Sequence, residues 1–356
     1  MMQSLNEKTW GAVQVDSFAD VMSGKDIYAS ERVDGERPYV TAGTANNGIG
    51  YFVGNDNNSV DSHVISVNRN GAVGEAFFHP YKALFGNDCR RLKVRESVAD
   101  DAQQFMAVAI KEQKGAFSYS RKLGTGRLQR LSVMLPVTDS GEPDYAYMAE
   151  YVQQKRDAML AKYRTYVETR MAELGEVAEI PALDEKEWKE FRIGELFEVS
   201  RPKARNKDDY DMGDIPFVAS GAMNNGVMKC CKTCEGEQLD AGNCITVSPV
   251  DGSSFYQPMD FLGRGGAGSS ILMLRNNGLN LFRGEFMARM IQQTCSKYNY
   301  GHMGNKDSIK RERVMLPIDE DGKPDYAYME QYAKNMMLRK YRQYLAYLDR
   351  QKQWHE

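Results

Sequence analysis

The segment Met134-Leu-Pro-Val-Thr-Asp-Ser-Gly-Glu-Pro-Asp-Tyr-Ala-Tyr-Met148 recurs as Met315-Leu-Pro-Ile-Asp-Glu-Asp-Gly-Lys-Pro-Asp-Tyr-Ala-Tyr-Met329, and ten of the fifteen positions are identical. Two further segments repeat at an offset of 178 residues: 10–18 matches 188–196, and 38–48 matches 216–226. Twice 178 is 356, the length of the chain. Because an internal repeat determines architecture, the chain is predicted to be one structural unit written twice.

Each copy begins with short β-type runs separated by glycine and asparagine. Asn47-Gly48 and Asn225-Gly226 predict turns, because both residue types tolerate positive φ. A short helix is predicted over residues 102–112, with its counterpart over 284–294. The predicted fold class is therefore α+β, with two tandem pseudo-symmetric α/β domains, each followed by a long α-helix.

The long helices follow Pro143 and Pro324, which are tolerated at a helix start. Apolar residues then recur at three- and four-residue steps, which predicts one apolar stripe on each helix. We expect the stripes to pack together as a coiled-coil-like pair. The stripe residues are Met148, Val152, Met159, Tyr163, Tyr166 and Leu174 in the first copy, and Tyr326, Met329, Ala333, Met337, Tyr341, Tyr344 and Leu348 in the second. The predicted boundaries are 1–142 (first domain), 143–178 (first helix), 179–187 (linker), 188–323 (second domain) and 324–356 (second helix).

The composition is that of an ordinary globular protein, with 42% hydrophobic and 27% charged residues. No window approaches the ~18 apolar residues of a membrane span, and the first residues lack the apolar core of a secretory signal. A cytoplasmic location without membrane contact is therefore expected. The net charge of −3 implies that any nucleic-acid contact comes from local patches rather than from a uniformly basic surface.

The chain resembles the DNA-specificity subunits of restriction-modification systems, namely the type I S subunits and the compact S subunits of type IIB and IIG enzymes. The resemblance rests on Trp188-Lys-Glu-Phe-Arg-Ile-Gly-Glu-Leu-Phe197, on residues 215–226, and on the Val314-Met-Leu-Pro317 strand before the long helix, and it covers both copies. It implies one target recognition domain per copy, each reading half of a split double-stranded DNA site. It also implies that the helices form a spacer, and that partner modification or fused modification-restriction subunits carry out methylation and cleavage.

The best candidates for DNA contact precede each Met-Leu-Pro strand, where the two copies diverge while their flanks agree. Cations, hydroxyls and amides in such loops suit phosphate contact and base-edge reading. Two more arginines, one from another segment of each copy, are added to these candidates. The candidates are Tyr119, Ser120, Arg121, Lys122, Arg127 and Arg69 in the first copy, and Arg264, Tyr300, His302, Asn305, Lys306 and Ser308 in the second.

Other cations extend this strip or form an ordinary solvated face, and the sequence leaves both interpretations open. They are Arg90, Arg91 and Lys93 in the first copy, and Arg201, Lys203, Arg205 and Lys207 in the second.

Alternative functions rest on two other motifs. Cys230, Cys231, Cys234 and Cys244 approach the spacing of a zinc site, although the first copy has no cysteines in the matching stretch. The loop 263–268 resembles a phosphate-binding loop but lacks the following Lys-Ser/Thr. A metal- or nucleotide-dependent enzyme, a protein scaffold built on the paired helices, and an orphan subunit that competes for the partner are the remaining alternatives.

No Asn-Pro-Pro-Tyr or Asp-Pro-Pro-Tyr stretch of an adenine methyltransferase is present, and the four histidines form no ligand cluster. We therefore expect a non-catalytic DNA-binding subunit that has no cofactor and binds no metal.

Overall fold

The computed structural model describes residues 3–266, 268 and 270–353, with side chains described up to residue 350. It divides into two compact units, Met1–Tyr163 and Arg164–Glu356. The described elements of the first unit are β1 (Trp10–Gln14), α1 (Val15–Phe18), β2 (Ala19–Ser23), β3 (Asp34–Val40), β4 (Ile49–Val53), β5 (Val64–Asn68), β6 (Ala76–His79), β7 (Leu84–Phe85), β8 (Cys89–Val94), α2 (Asp100–Lys111), α3 (Thr125–Gln129), β9 (Ser132–Pro136) and the long helix α4 (Tyr145–Leu174).

The second unit repeats this order. Its described elements are β10 (Trp188–Arg192), α5 (Ile193–Leu196), β11 (Glu198–Ser200), β12 (Met212–Val218), β13 (Val227–Cys231), β14 (Cys244–Val247), β15 (Ser254–Gln257), β16 (Leu262–Gly263), β17 (Leu272–Arg275), α6 (Leu281–Cys295), α7 (Lys306–Arg311), β18 (Arg313–Pro317) and the long helix α8 (Tyr326–Gln353). The last residues of α4, from Arg164, belong to this unit.

Both units have the same sheet topology. The first has a four-stranded sheet in the order β2-β8-β5-β6, a three-stranded sheet β4-β3-β7 and the ribbon β1-β9. The second repeats it as β11-β17-β14-β15, β13-β12-β16 and β10-β18. The predicted α+β class with two tandem pseudo-symmetric domains is confirmed.

The turns after β3 and β12 illustrate how local sequence produces the repeated fold. Asn46, Asn47 and Gly48 have φ values of 50°, 52° and 74°, and Asn224, Asn225 and Gly226 have 50°, 54° and 77°. Glycine and asparagine adopt this left-handed region more readily than other residues do. The predicted turns are therefore present in both copies.

Each unit has its own core, formed between the four-stranded sheet, the medium-length helix and the first turn of the long helix. In the first unit Ile65, Leu92, Met106 and Met148 are buried together. Ile245, Leu274, Met287 and Met329 form the corresponding cluster in the second. Both long helices are thus rooted in the core of their own domain.

Equivalent tyrosines and tryptophans secure the base of each long helix. The Tyr147 hydroxyl donates to the Gln3 carbonyl oxygen at 3.0 Å, and the Tyr328 hydroxyl donates to the Pro181 carbonyl oxygen at 2.9 Å. The Trp10 and Trp188 indoles donate to the carbonyl oxygens of Leu5 and Leu183. The segment before each domain is therefore bound to the helix that follows the domain.

The predicted apolar stripes are only partly buried. Met159 and Tyr166 are 71% and 53% exposed, whereas their neighbour Val167 is fully buried. In α8, Leu348 is buried but Tyr344 is 43% exposed. Helical periodicity shows which residues share a face, but the width of the partner surface determines how many of them are covered.

Candidate nucleic-acid interface

An exposed tyrosine occupies the same position in the divergent loop of each unit. Tyr119 is 73% exposed and Tyr300 is 84% exposed, and they lie 181 residues apart, as do the flanking β9 and β18 strands. Each tyrosine is the second residue of a four-residue turn. The Ser118 and Arg121 backbones hydrogen-bond to each other at 3.0 and 3.4 Å, and the Asn299 and His302 backbones do so at 3.0 and 3.3 Å. The two loops therefore share a turn while their other side chains differ.

Two cations of the first unit lie close to aromatic rings in or next to this turn. The Lys122 ammonium lies 4.7 Å from the Tyr119 ring centroid, and the exposed Arg121 guanidinium lies 5.9 Å from the centroid of Phe117. The Ser120 hydroxyl is 3.0 Å from that of Ser118. All the candidates that the sequence places in this loop are thus within reach of a ligand at the protein surface.

A cleft next to this loop brings together cations that are distant in sequence. It has a volume of about 310 Å³ and is lined by Arg69, Lys122, Gly124, Thr125, Gly126 and Arg127. Arg69 comes from the loop after β5, more than fifty residues before the others. The structure therefore joins three of the predicted DNA-contacting residues in one basic surface.

Arg90 and Asp88 contact residues that line this cleft. The sequence leaves Arg90 open as an extension of the basic strip and indicates no role for Asp88. The buried Arg90 donates through Nε to the Thr125 hydroxyl at 2.8 Å and through Nη1 to the Asn87 carbonyl oxygen at 2.8 Å. Arg69 forms a 3.0 Å ion pair with Asp88. Burial, and then the neighbouring positive charge of Arg69, lower the pKa of Arg90. Alternating strand positions alone could not reveal this convergence.

Two of the predicted DNA-contacting residues in the second unit have structural roles. The Asn305 side chain accepts hydrogen bonds from the Asp307 and Ser308 amides at 2.9 Å, and the Ser308 hydroxyl accepts from the Asn305 amide at 2.8 Å. This capping box satisfies the amides at the start of α7. Exposed His302 stacks on Tyr298 at 5.8 Å between ring centroids, and Lys306 is exposed as well. The side chains open to a ligand are therefore Tyr300, His302 and Lys306.

Arg264 lies in the loop after β16, apart in sequence from the turn at Tyr300. Its backbone amide donates to the Val218 carbonyl oxygen at 2.8 Å, and its side chain is half-buried. Gly265 forms a parallel bridge with Ala204, so the glycine-rich segment begins as part of the three-stranded layer. Residue 267 of this motif lies outside the described residues.

Several cations that the sequence allowed as an extension of the basic strip are engaged in ion pairs. Arg91 and Lys93 both contact Asp61, at 3.2 and 3.1 Å. The nearly buried Arg205 contacts Glu237 at 2.8 Å and Asp240 at 2.6 Å. For Arg205 the interpretation as a surface cation was wrong: its charge is neutralised by carboxylates from a loop more than thirty residues away.

The cysteine cluster does not form a metal-binding arrangement in the part of the chain that the structure describes. There, no group of three or more His, Cys, Asp or Glu side chains is placed to hold a metal ion. Cys231 and Cys244 are buried, and Cys234 is exposed. Burial raises the pKa of the Cys244 thiol to about 11, so this thiol is protonated at neutral pH in the metal-free chain.

No helix within the described ranges is long and apolar enough to cross a membrane.

Comparison with known proteins gives a consistent family assignment. The model of the type I restriction modification DNA specificity domain matches residues 7–159 and again residues 185–344. Specificity subunit S.BcgI of the type II restriction enzyme BgcI, from Heyndrickxia coagulans, is 32% identical over 162 residues, which are 45% of this chain and 48% of that protein. The match thus spans about half the length of this curated relative.

The solved structures that match this chain include two specificity subunits. The type I S subunit from M. genitalium has 13% sequence identity and a TM-score of 0.49, with 98% of this chain and 95% of that chain covered. The HsdS subunit from Thermoanaerobacter tengcongensis has 13% identity and a TM-score of 0.31, with 96% and 91% covered. The two family-model matches together cover most of the sequence, one per structural unit. The chain therefore belongs to the type I restriction-modification DNA specificity domain family and carries two copies of that domain in tandem.

Proposed function

We propose that this protein is a non-catalytic, sequence-specific DNA-binding subunit that recognises a bipartite double-stranded site and directs partner subunits to it. Two copies of the specificity domain with different loops on one frame carry this proposal. A shared frame places both loops equivalently in their own domains, whereas different side chains favour different base sequences. Methylation and cleavage belong to modification or fused modification-restriction subunits, and the complex acts in the cytoplasm, where the host DNA lies.

The proposed recognition domains are residues 1–142 and 188–323, and residues 179–187 link the two copies. Residues 143–178 and 324–356 form the spacer helices. In this arrangement the helices determine the number of base pairs that separate the half-sites, much as dimer geometry does in other DNA readers.

The proposed DNA contacts divide into two groups. Arg69, Lys122 and Arg127 face one cleft and suit phosphate contact, since a cation provides affinity without sequence information. The exposed Arg121 and His302, at equivalent positions of the two turns, suit base reading because both carry hydrogen-bond donors. Tyr119, Ser120, Tyr300 and Lys306 border these positions, and Arg264 supplies a further contact in the second domain.

Methylation mapping tests the proposal. The chain is co-expressed with the modification methyltransferase of its system, and methylated adenines in the host genome are mapped. We expect one split motif with a fixed gap, which disappears when the gene for this chain is deleted. Methylation that is unaffected by the deletion would contradict the proposal.

The double variant R121A/K122A tests whether the domains act independently. We expect relaxed or weaker recognition of one half of the motif, by roughly 1–3 kcal/mol if a bidentate base contact is lost. The variant H302A/K306A removes two exposed side chains from the loop of the second domain and is expected to affect the other half. Equal loss at both halves from either variant would argue against independent readers.

A further inference from the structure

The cations around the basic cleft of the first unit correspond to uncharged residues in the second unit. We infer that this cleft binds a phosphodiester group of the DNA backbone, and that the two domains therefore hold DNA by unequal electrostatic means, the first with strong and the second with weak salt dependence. This inference rests on the proposed function, and it assigns a ligand class to a cleft formed by Arg69, Lys122 and Arg127.

Strand pairing establishes which residues correspond. Leu92 pairs with Ile65 in the first unit, and Leu274 pairs with Ile245 in the second. Two residues earlier on the same strands, Arg90 corresponds to Leu272.

Hydrogen bonds extend this correspondence to the loop after β5. The Gly74 amide donates to the Asn68 carbonyl oxygen, and the Gly252 amide donates to that of Ser248. Asn68 therefore corresponds to Ser248, and the next residue, Arg69, corresponds to Pro249.

The divergent loops show the same loss of charge. Their offset of 181 places Met303 at the position of Lys122 and Ser308 at that of Arg127. Residues 118–127 contain three cations and no acid, for a charge of +3, whereas residues 299–308 contain Lys306 and Asp307, for a charge of 0. Four cations around the cleft thus correspond to uncharged residues in the second unit.

Several contacts keep the cations of the first unit in place before any ligand arrives. Arg90 Nε donates a hydrogen bond to the Thr125 hydroxyl, and Arg127 Nη1 donates to the Lys122 carbonyl oxygen at 2.8 Å. Arg69 is oriented by its ion pair with Asp88. Cations held in this way suit an anionic oxygen, because little side-chain freedom remains to be lost on binding. A phosphodiester offers two such oxygens and one negative charge.

The ligand chemistry has a measurable consequence. Neutralising a DNA phosphate releases condensed counterions. In a plot of log binding constant against log salt concentration, each neutralised phosphate therefore makes the slope more negative by ~0.9. This effect does not depend on base sequence. It can therefore be measured with a duplex of arbitrary fixed sequence that is long enough for both units.

The test is the salt dependence of DNA affinity for the full chain. K122M/R127S places the residues of the second unit in the first. We expect the magnitude of the slope, measured as log binding constant against log salt concentration, to become smaller by about 1 to 2. M303K makes the reverse change while leaving the Asn305 cap intact, and we expect the magnitude of the same slope to become larger by up to about 0.9. K155M/K162M removes two exposed charges from α4, and it is expected to retain the wild-type slope.

Thermal melting followed by circular dichroism verifies that each variant is folded. If K122M/R127S does not fold, K122M alone retains the backbone acceptor of Arg127 and is expected to give a smaller decrease in the same direction. An unchanged slope in a folded K122M/R127S or K122M variant, beside a wild type with salt-dependent affinity, overturns the inference and leaves the proposed function standing. A wild type without salt-dependent DNA affinity overturns both.

Discussion

His79 is a fully buried polar residue in the core of the first unit. Its Nε2 lies 2.8 Å from the Ser66 hydroxyl, and its Nδ1 lies 3.2 Å from the Tyr81 hydroxyl. Burial lowers the pKa of His79 to about 4, because the interior penalises the charged imidazolium. Gln257 is its counterpart in the second unit, where it donates to the Thr246 hydroxyl at 3.0 Å. The buried hydrogen bond to a hydroxyl is thus made by a titratable histidine in the first unit and by an uncharged glutamine in the second.

We expect H79Q to remove an acid sensitivity of the first unit. The unfolded chain has a histidine pKa near 6.5, so between about pH 6.5 and pH 4 the unfolded state binds more protons than the folded state does. Stability due to His79 is therefore present above this range and is lost as the pH falls through it, by on the order of 3 kcal/mol.

Urea unfolding of wild type and H79Q at pH 7, 5 and 4 checks this expectation. The stability difference between the two proteins should move in favour of H79Q as the pH falls. A difference that stays constant across the three pH values would show that His79 does not titrate on unfolding in this range.

The long helices meet within the second unit through their carboxyl-terminal halves. Arg164 forms a 2.7 Å ion pair with Asp349, and Tyr341 hydrogen-bonds with Tyr166 and Arg170. Because Arg164 lies opposite Asp349 and Arg170 lies opposite Tyr341, these two helix segments are antiparallel. The sequence predicted the pairing of the helices, but not which of the stripe residues would be buried.

Leu338→Ala and Arg164→Ala separate the contributions of packing and charge at the helix level. Leu338 is fully buried, and its truncation is expected to cost about 2–5 kcal/mol of unfolding free energy. Arg164 pairs with an Asp349 side chain that is 60% exposed, and its loss is expected to cost less than about 1 kcal/mol. Chemical denaturation of both variants measures the two values. A larger loss from Arg164→Ala than from Leu338→Ala would mean that the ion pair, rather than the core, holds α8.

The duplication leads to a prediction about the whole molecule. Each domain has its own buried cluster and its own strand topology, so one can be exchanged without removing the core of the other. Replacing residues 1–142 by the corresponding domain of another specificity subunit is expected to change one half of the methylated motif and to leave the other half and the gap unchanged. Methylome mapping of the chimera gives the result. A change in both halves would mean that the domains recognise DNA jointly.

Features that depend on neighbours along the chain could be predicted from the amino-acid sequence. The repeat, the presence of short β-strands in each copy, the asparagine-glycine turns and the long helices all follow from local periodicity and backbone preference. Family membership follows from the same order of motifs, because it appears twice.

Which charged side chains contact each other depends on how the chain folds, and the sequence did not predict it. Arg69 and Arg90 reach the 118–127 loop across adjacent strands, whereas Arg205 is buried against Glu237 and Asp240. The physical reason is that a cation's role depends on its burial and on the carboxylates near it, and strands and loops far apart in sequence supply both.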